Sequence, residues 1–210
     1  MIKSYWDDRY RRQGPIKTVG TVRWTQATYD KRRDATLARV IRPLLAARGI
    51  GNIIDIGCGP GRFMDPLLSV ADGYIGVDVS QEAVSLADKM LDEHEYYDRT
   101  AVRFLTTEDF FAIQDNYIGV LDAAFTSVAL QHVVDDEELK RIIGRVVSLS
   151  GDSFRWVSVE STGPKEARHP HVVFRSPEEY CELFDSFGLN AMHVMNFYDC
   201  SVLVADKGGK

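Results

Sequence analysis

The segment Ile53-Ile54-Asp55-Ile56-Gly57-Cys58-Gly59-Pro60-Gly61-Arg62-Phe63 constrains this chain more than any other. Isoleucines around Asp55 read as a buried strand. Glycines at 57, 59 and 61 call for a turn with unusual backbone angles, and the apolar spacing over 63–70 reads as a helix. A strand that runs through a glycine turn straight into a helix is the opening unit of a parallel α/β sheet. Such sheets bind ligands beyond the carboxyl ends of their strands.

The rest of the chain repeats that alternation. Residues 30–48 carry Leu37, Val40, Ile41, Leu44 and Leu45 at helical spacing, with Pro43 expected to kink the helix and Gly49 and Gly51 to close it. Residues 74–77 read as a second strand. A helix follows from Ser80, its expected cap, with Ala83, Leu86, Ala87, Met90 and Leu91 on one face. Strands are expected at 102–105, 121–125 and 154–159. Between the last two a helix opens on Asp135-Asp136-Glu137-Glu138, acids where the helix dipole favours them, and buries Leu139, Ile142, Ile143, Val146 and Val147. A helix over 177–187 and two closing strands, 190–194 and 201–205, complete the pattern. Parallel neighbours need a crossover helix, whereas the last two strands are joined by a short turn. The expected fold is therefore α/β, a doubly wound seven-stranded, mostly parallel sheet with an antiparallel hairpin near one edge. It carries an N-terminal helical arm over 1–30 ahead of a domain over 31–210.

Composition bounds the rest. With 210 residues, 45% of them hydrophobic, the chain is long enough for one sizeable core or at most two small ones. No apolar run reaches the ~18 to 20 residues that a membrane span needs, and the opening MIKSYWDDRY has charges where a signal peptide is apolar, so a cytoplasmic location is expected. Cys58, Cys181 and Cys200 form no CxxC pair, which speaks against a disulfide framework and a thiolate zinc site. The net charge of −6 hides a balance of +6 over residues 1–33 and −12 over the remainder. Such an arm either attracts an anionic ligand or complements its own acidic body. The overall acidity disfavours non-specific nucleic-acid binding, so no DNA partner is expected.

Spacing narrows the ligand of the glycine turn. A dinucleotide fingerprint GxGxxG is broken by Arg62 at its sixth position, and no GK[ST] follows to make a phosphate loop. The pattern Asp55-x-Gly57-x-Gly59-x-Gly61 instead resembles motif I of the class I S-adenosylmethionine-dependent methyltransferases, and the resemblance extends over roughly residues 30–205 in motif order. It implies a Rossmann-like methyltransferase fold, S-adenosyl-L-methionine as cofactor, S-adenosyl-L-homocysteine as product, and no metal. Asp78 matches the acid that accepts both ribose hydroxyls, a task suited to the two oxygens of a carboxylate. Val79 would pack on the adenine. Either Glu108 or Asp109 would receive the adenine amino group, beside Phe110. The turn glycines Gly57, Gly59 and Gly61, with Asp55 and Cys58, would line the cofactor, and Ser127 lies in the segment facing the transferred methyl. Residues 148–152, Ser-Leu-Ser-Gly-Asp, replace the leucine-lysine-proline-glycine-glycine turn of many relatives.

Methyl transfer needs alignment and, for a protonated acceptor, a base. His132 is the candidate base; its alternative role is to cap the helix that starts near Asp135. Residues 126–133 contain no proline, so the [N/D/S]PP[Y/F] motif of amino-group DNA methylation is absent, and no cysteine stands there to attack a cytosine ring. Substrate selection falls to the arm and to the insertion 160–175. Tyr5, Tyr10 and Tyr29 are substrate-facing candidates, with Trp24 and Arg33 toward the methionine end of the cofactor. In Arg168-His169-Pro170-His171, His169 and His171 are substrate candidates against the plainer reading of a solvated loop. The expected partner is a small molecule, anionic if the arm attracts it, methylated at oxygen or nitrogen. The alternatives are a tRNA or protein substrate, or a silent cofactor-binding subunit.

Overall fold

In a computed structural model of the chain, residues 2–19, 25–93, 98, 100–162 and 170–208 are described. The chain divides into two compact units, Met1–Ile113 and Gln114–Lys210.

The first unit opens with α1 (Ile2–Val19), broken at Gly14, whose φ of 73° no helix tolerates just before Pro15. Helix α2 (Gln26–Thr36) is capped by Thr25, so residue 30 falls inside a helix. The helix continues through a π-helical stretch, Leu37–Ile41, into α3 (Arg42–Leu45), and a 3₁₀ turn, Ala46–Arg48, ends it at left-handed Gly49. Pro43 sits at the start of α3, where its missing amide hydrogen costs little. The chain widens to a π turn just before it rather than breaking.

Strand β1 (Ile50–Ile56) is followed by α4 (Met64–Leu68), β2 (Ala71–Asp78), α5 (Gln81–Glu93), β3 (Val102–Thr106) and α6 (Thr107–Ala112). Strands β1 and β3 both pair with β2 in parallel. Ile53, Ile54 and Tyr74 of the strands and Leu67, Ala83 and Ala87 of the helices are buried in this core. Gly76 marks its tightest point: a Cβ there would lie 2.7 Å from the Phe104 ring and 2.9 Å from the Cys58 sulfur.

In the second unit α7 (Asp115–Ile118), which the sequence pattern did not suggest, precedes β4 (Leu121–Ser127). A 3₁₀ turn, Leu130–His132, leads to α8 (Asp136–Ser148), then β5 (Ser150–Glu160), α9 (Pro177–Asp185), β6 (Leu189–Phe197) and β7 (Cys200–Lys207). Asp135 caps α8 by accepting from the amides of Glu137 and Glu138, so the cap role considered for His132 belongs to a carboxylate. Ser176 and Glu179 form a capping box on α9. Trp156, fully buried, packs on Phe154 and Phe184. Across β5 and β7 the Arg155 guanidinium grips Asp206 through two bonds of 2.7 and 2.6 Å.

The strand order is β3-β2-β1-β4-β5-β7-β6, with β7 antiparallel to both of its neighbours and β6 at the edge. The expected seven strands and edge hairpin are present. The hairpin loop is shorter than its sequence suggested: Phe197 pairs with Cys200, leaving only Tyr198 and Asp199, and Tyr198 adopts φ 55°.

Candidate active site

The glycine turn is built so that β2 holds it. The amides of Gly57 and Cys58 both donate to the Val77 carbonyl, at 2.7 and 3.1 Å. Gly57, Gly59 and Gly61 take φ of 76°, 55° and 81°, which side-chain-bearing residues resist. The Gly59 amide donates to Asp78 Oδ2 at 2.9 Å, and the Ser80 amide donates to Asp78 Oδ1 at 2.9 Å. Two backbone bonds thus fix the Asp78 carboxylate in place and use one acceptor position on each oxygen. A second position on each remains, which is the acceptor set that the two hydroxyls of a vicinal diol require. Burial pushes the Asp78 carboxyl up to about 6, against the pull of those two amides. Val79 beside it keeps part of its surface open.

Two motif residues support the turn from beneath. Asp55 is 1% exposed, and its Oδ2 accepts the Tyr74 hydroxyl at 2.9 Å, tying β1 to β2. Burial raises it to about 7, with the Tyr74 bond opposing. The Cys58 thiol is buried, donates to the Gly59 carbonyl and is pushed well above its ordinary value by burial.

At the end of β3 the two candidate acids separate. Glu108, 78% exposed at its side chain, pairs with Lys3 of the arm at 3.1 Å. Asp109 is fixed by its own cap: the Thr106 hydroxyl donates to Asp109 Oδ2 at 2.6 Å, and the Asp109 amide donates back to that hydroxyl. Phe110 is fully buried.

The arm lies on this unit through specific bonds. Asp7 is nearly buried at the start of α5, where its Oδ1 accepts from the Ser80 hydroxyl at 2.6 Å and the Glu82 amide at 3.3 Å. Arg11 bonds Glu82 at 2.8 Å. Tyr10 is buried, and after burial itself the strongest influences raising its hydroxyl are Asp78 and Cys58, so it stands within electrostatic reach of the glycine turn. Tyr5 accepts from Arg9, whose guanidinium lies over Trp6. The Arg62 guanidinium is stacked over Tyr29 at 4.7 Å and Phe63 at 4.9 Å. Its pKa is lowered by burial, with Arg32 and Arg33 adding to the effect. Arg33 meets Asp30 and Asp34 at 3.6 and 3.2 Å. Asp7 and Arg62 had no sequence signal, because their partners lie far along the chain or in a neighbouring helix. Trp24 and His169 lie outside the described residues.

In the second unit, β4 ends at the part-exposed Ser127, and Val128 follows with φ 57°, a strained angle for a β-branched residue. The 3₁₀ turn that follows carries His132. Its Nδ1 lies 3.0 Å from the His171 carbonyl, and a carbonyl only accepts, so Nδ1 holds the proton and Nε2 carries the lone pair, toward which the Gln131 side-chain amide donates at 3.5 Å. Gln131 ties the same turn down: its Oε1 accepts from the Ser161 amide and its carbonyl from the Val173 amide. His171 thus bears on His132 through its backbone. Among the described residues no group of three or more His, Cys, Asp or Glu is placed to hold a metal ion, and no helix is long and apolar enough to cross a membrane.

Comparison with known proteins agrees with this construction. Residues 54–151 match the family model described as a methyltransferase domain. The human mitochondrial ubiquinone biosynthesis O-methyltransferase is 26% identical over 176 residues, covering 73% of this chain; the chain spans 44% of that protein. Among solved structures, the magnesium protoporphyrin IX methyltransferase of Synechocystis PCC 6803 with bound S-adenosylmethionine has a TM-score of 0.69 at 21% identity, over 99% of this chain and 97% of that one. The N-methyltransferase NodS of Bradyrhizobium japonicum WM9 with S-adenosyl-L-homocysteine reaches 0.71 at 13% identity, over 99% of both chains. At these identities the likeness to solved structures is one of fold.

Proposed function

We propose that the chain is a class I S-adenosylmethionine-dependent methyltransferase that transfers a methyl group to an oxygen or nitrogen of a small molecule. The observation that carries this reading is Asp78, fixed by the Gly59 and Ser80 amides with an acceptor position left on each oxygen. A ribose diol satisfies that set, and Gly57, the exposed glycine of the turn beside it, carries no side chain to keep a ligand from the backbone.

Bound S-adenosylmethionine supplies an electrophilic methyl group carried on a sulfonium. Asp78 holds the ribose and Val79 flanks the adenine, whereas Phe110, fully buried, belongs to the core behind the site rather than to the ring's surroundings. Asp109 receives the adenine amino group, a role for which its fixing by Thr106 suits it better than Glu108, which is engaged with Lys3. Arg33, within electrostatic reach of Arg62, is the candidate for the methionine carboxylate, for which it would have to exchange its exposed pairings with Asp30 and Asp34. Tyr10 and Tyr29 close the arm side, and Ser127 belongs to the segment facing the methyl. His132 takes the acceptor's proton at Nε2, the nitrogen left basic by the bond between Nδ1 and the His171 carbonyl.

The names of the relatives divide between oxygen and nitrogen acceptors, which supports a small molecule methylated at one of these atoms. The arm's positive charge gives little support to an anionic acceptor, since Lys3 and Arg11 are spent on Glu108 and Glu82. The test is mass spectrometry after incubating the protein and isotopically labelled S-adenosylmethionine with a cell extract. Label in a small metabolite, lost in the His132→Ala variant, is expected. Label confined to RNA or protein, or to nothing, would overturn the reading.

A further inference from the structure

Glu160 ends β5 with its side chain fully buried, and neither carboxyl oxygen has a partner in hydrogen-bond geometry. No part of the methyl-transfer scheme uses it. The groups nearest to it are informative. The amides of Ala129, Leu130 and Gln131 face it, with the Thr126 hydroxyl, and all of these favour its ionised form against the larger effect of burial. These amides belong to the 3₁₀ turn at His132 and the residue before it, and the first amides of such a turn have no carbonyl within it to donate to. At the other end of the turn the Arg175 Nη2 donates to the Val133 carbonyl at 3.2 Å and to Asp136. An acid thus faces the amide end of the turn and a guanidinium takes its carbonyl end.

Between them the chain is held in a conformation it would not adopt alone. Val128 has φ 57°, and its amide is pinned to the Val159 carbonyl at 2.7 Å, next to Glu160. Gln131 is fixed by Ser161 and Val173. The Tyr180 hydroxyl, buried and without a partner in hydrogen-bond geometry, feels both Glu160 and Arg175, so α9 contributes to the same cluster.

We infer that Glu160 is a positioning residue: with Arg175 it clamps the Ala129–Val133 turn and thereby orients the imidazole of His132 so that Nδ1 stays on the His171 carbonyl and Nε2 keeps its lone pair, facing the Gln131 amide nitrogen at 3.5 Å. The catalytic consequence rests on His132 being the base, but the orientation itself does not, and the two fail separately.

The experiment is nitrogen-15 NMR of the histidine side chains, with amide hydrogen exchange, on the full chain. The His132→Ala variant assigns the signal. The wild type is expected to show His132 as the Nδ1-protonated tautomer. Glu160→Gln keeps an oxygen facing the amides and should preserve that tautomer. Glu160→Leu should average the two tautomers and speed exchange at residues 129–131 at least about tenfold, leaving β1 and β2 protected. If the leucine variant does not fold, Glu160→Asp, which withdraws the carboxyl by one methylene, should move both signals in the same direction. An unchanged tautomer in Glu160→Leu or Glu160→Asp, or exchange that rises equally throughout the chain, would overturn the inference. Full methyl transfer by His132→Ala would sink the base assignment while leaving the clamp standing.

Discussion

Asp7 and Ser80, 73 positions apart in the chain, share a 2.6 Å hydrogen bond that locks the N-terminal arm onto the start of α5. Ser80 uses the same hydroxyl to cap that helix at the Ala83 amide, and its own amide fixes Asp78. One buried serine therefore joins arm, helix and candidate ribose acid. Replacing Asp7 with alanine leaves the Ser80 hydroxyl and the Glu82 amide without this partner and should cost about 1–3 kcal/mol. Limited trypsin digestion reads the consequence: cleavage at Arg9, Arg11 and Arg12 should accelerate several-fold over wild type. Equal cleavage rates would mean that the arm is held by something else.

Two glycines in the first unit make contrasting predictions. At Gly76 the obstacle is purely steric, an added Cβ meeting the Phe104 ring and the Cys58 sulfur, so Gly76→Ala should lower stability by about 1–3 kcal/mol in a chemical denaturation curve. At Gly61 a Cβ would lie 2.6 Å from the flexible end of Met90, but φ is 81°. Removing the clash with Met90→Ala should therefore fail to rescue Gly61→Ala. A full rescue would show that contact, not backbone strain, reserves this position for glycine.

The buried carboxyl of Asp55 sets a pH dependence of stability. It holds its proton up to about 7 in the folded chain, whereas an unfolded aspartate releases it near about pH 4. Below that lower value both states are protonated. As pH rises toward 7 only the folded state keeps the proton, so the unfolded state gains and stability contributed by this group is lost. Asp55→Asn, which can still accept from Tyr74, should gain relative to wild type between pH 5 and pH 8 in urea denaturation. A difference that stays constant over that range would contradict the raised value.

Arg33, proposed to face the methionine carboxylate, gives a test that separates the two ends of the cofactor. Its replacement by alanine should weaken S-adenosyl-L-homocysteine binding about tenfold, through loss of one charge-assisted contact, and leave adenosine binding unchanged. Equal losses for both ligands would move Arg33 from the carboxylate to a role in holding α2.

Much of this was legible in the sequence because periodicity and glycine placement are local signals. The run Ile53 to Ile56, the spacing of Leu139, Ile142, Ile143 and Val146, and the acids at the start of α8 each announce their element without reference to anything distant. Elements that lacked such signals were misjudged. The hairpin loop at Tyr198-Asp199 contains no glycine or asparagine, so a two-residue turn was hidden behind a tyrosine with positive φ. Pro43 announces a disturbance of its helix but not its form, a π-helical stretch over Leu37–Ile41 just before it. In the site, Asp78 and the glycine turn could be found from spacing. Asp7, Arg62 and Glu160 could not, since their significance comes from Ser80, Tyr29 and the Ala129–Gln131 amides, which only the folded chain brings to them.

The most direct test of the cofactor assignment is calorimetric titration of S-adenosyl-L-homocysteine into wild-type protein and the Asp78→Ala variant at pH 8, where Asp78 is ionised. Loss of the carboxylate should weaken binding by about 1–3 kcal/mol, roughly five- to 150-fold, with the thermal transition still cooperative. Undiminished affinity in the variant would contradict the assignment of Asp78 to the ribose, and with it the cofactor site built around the glycine turn.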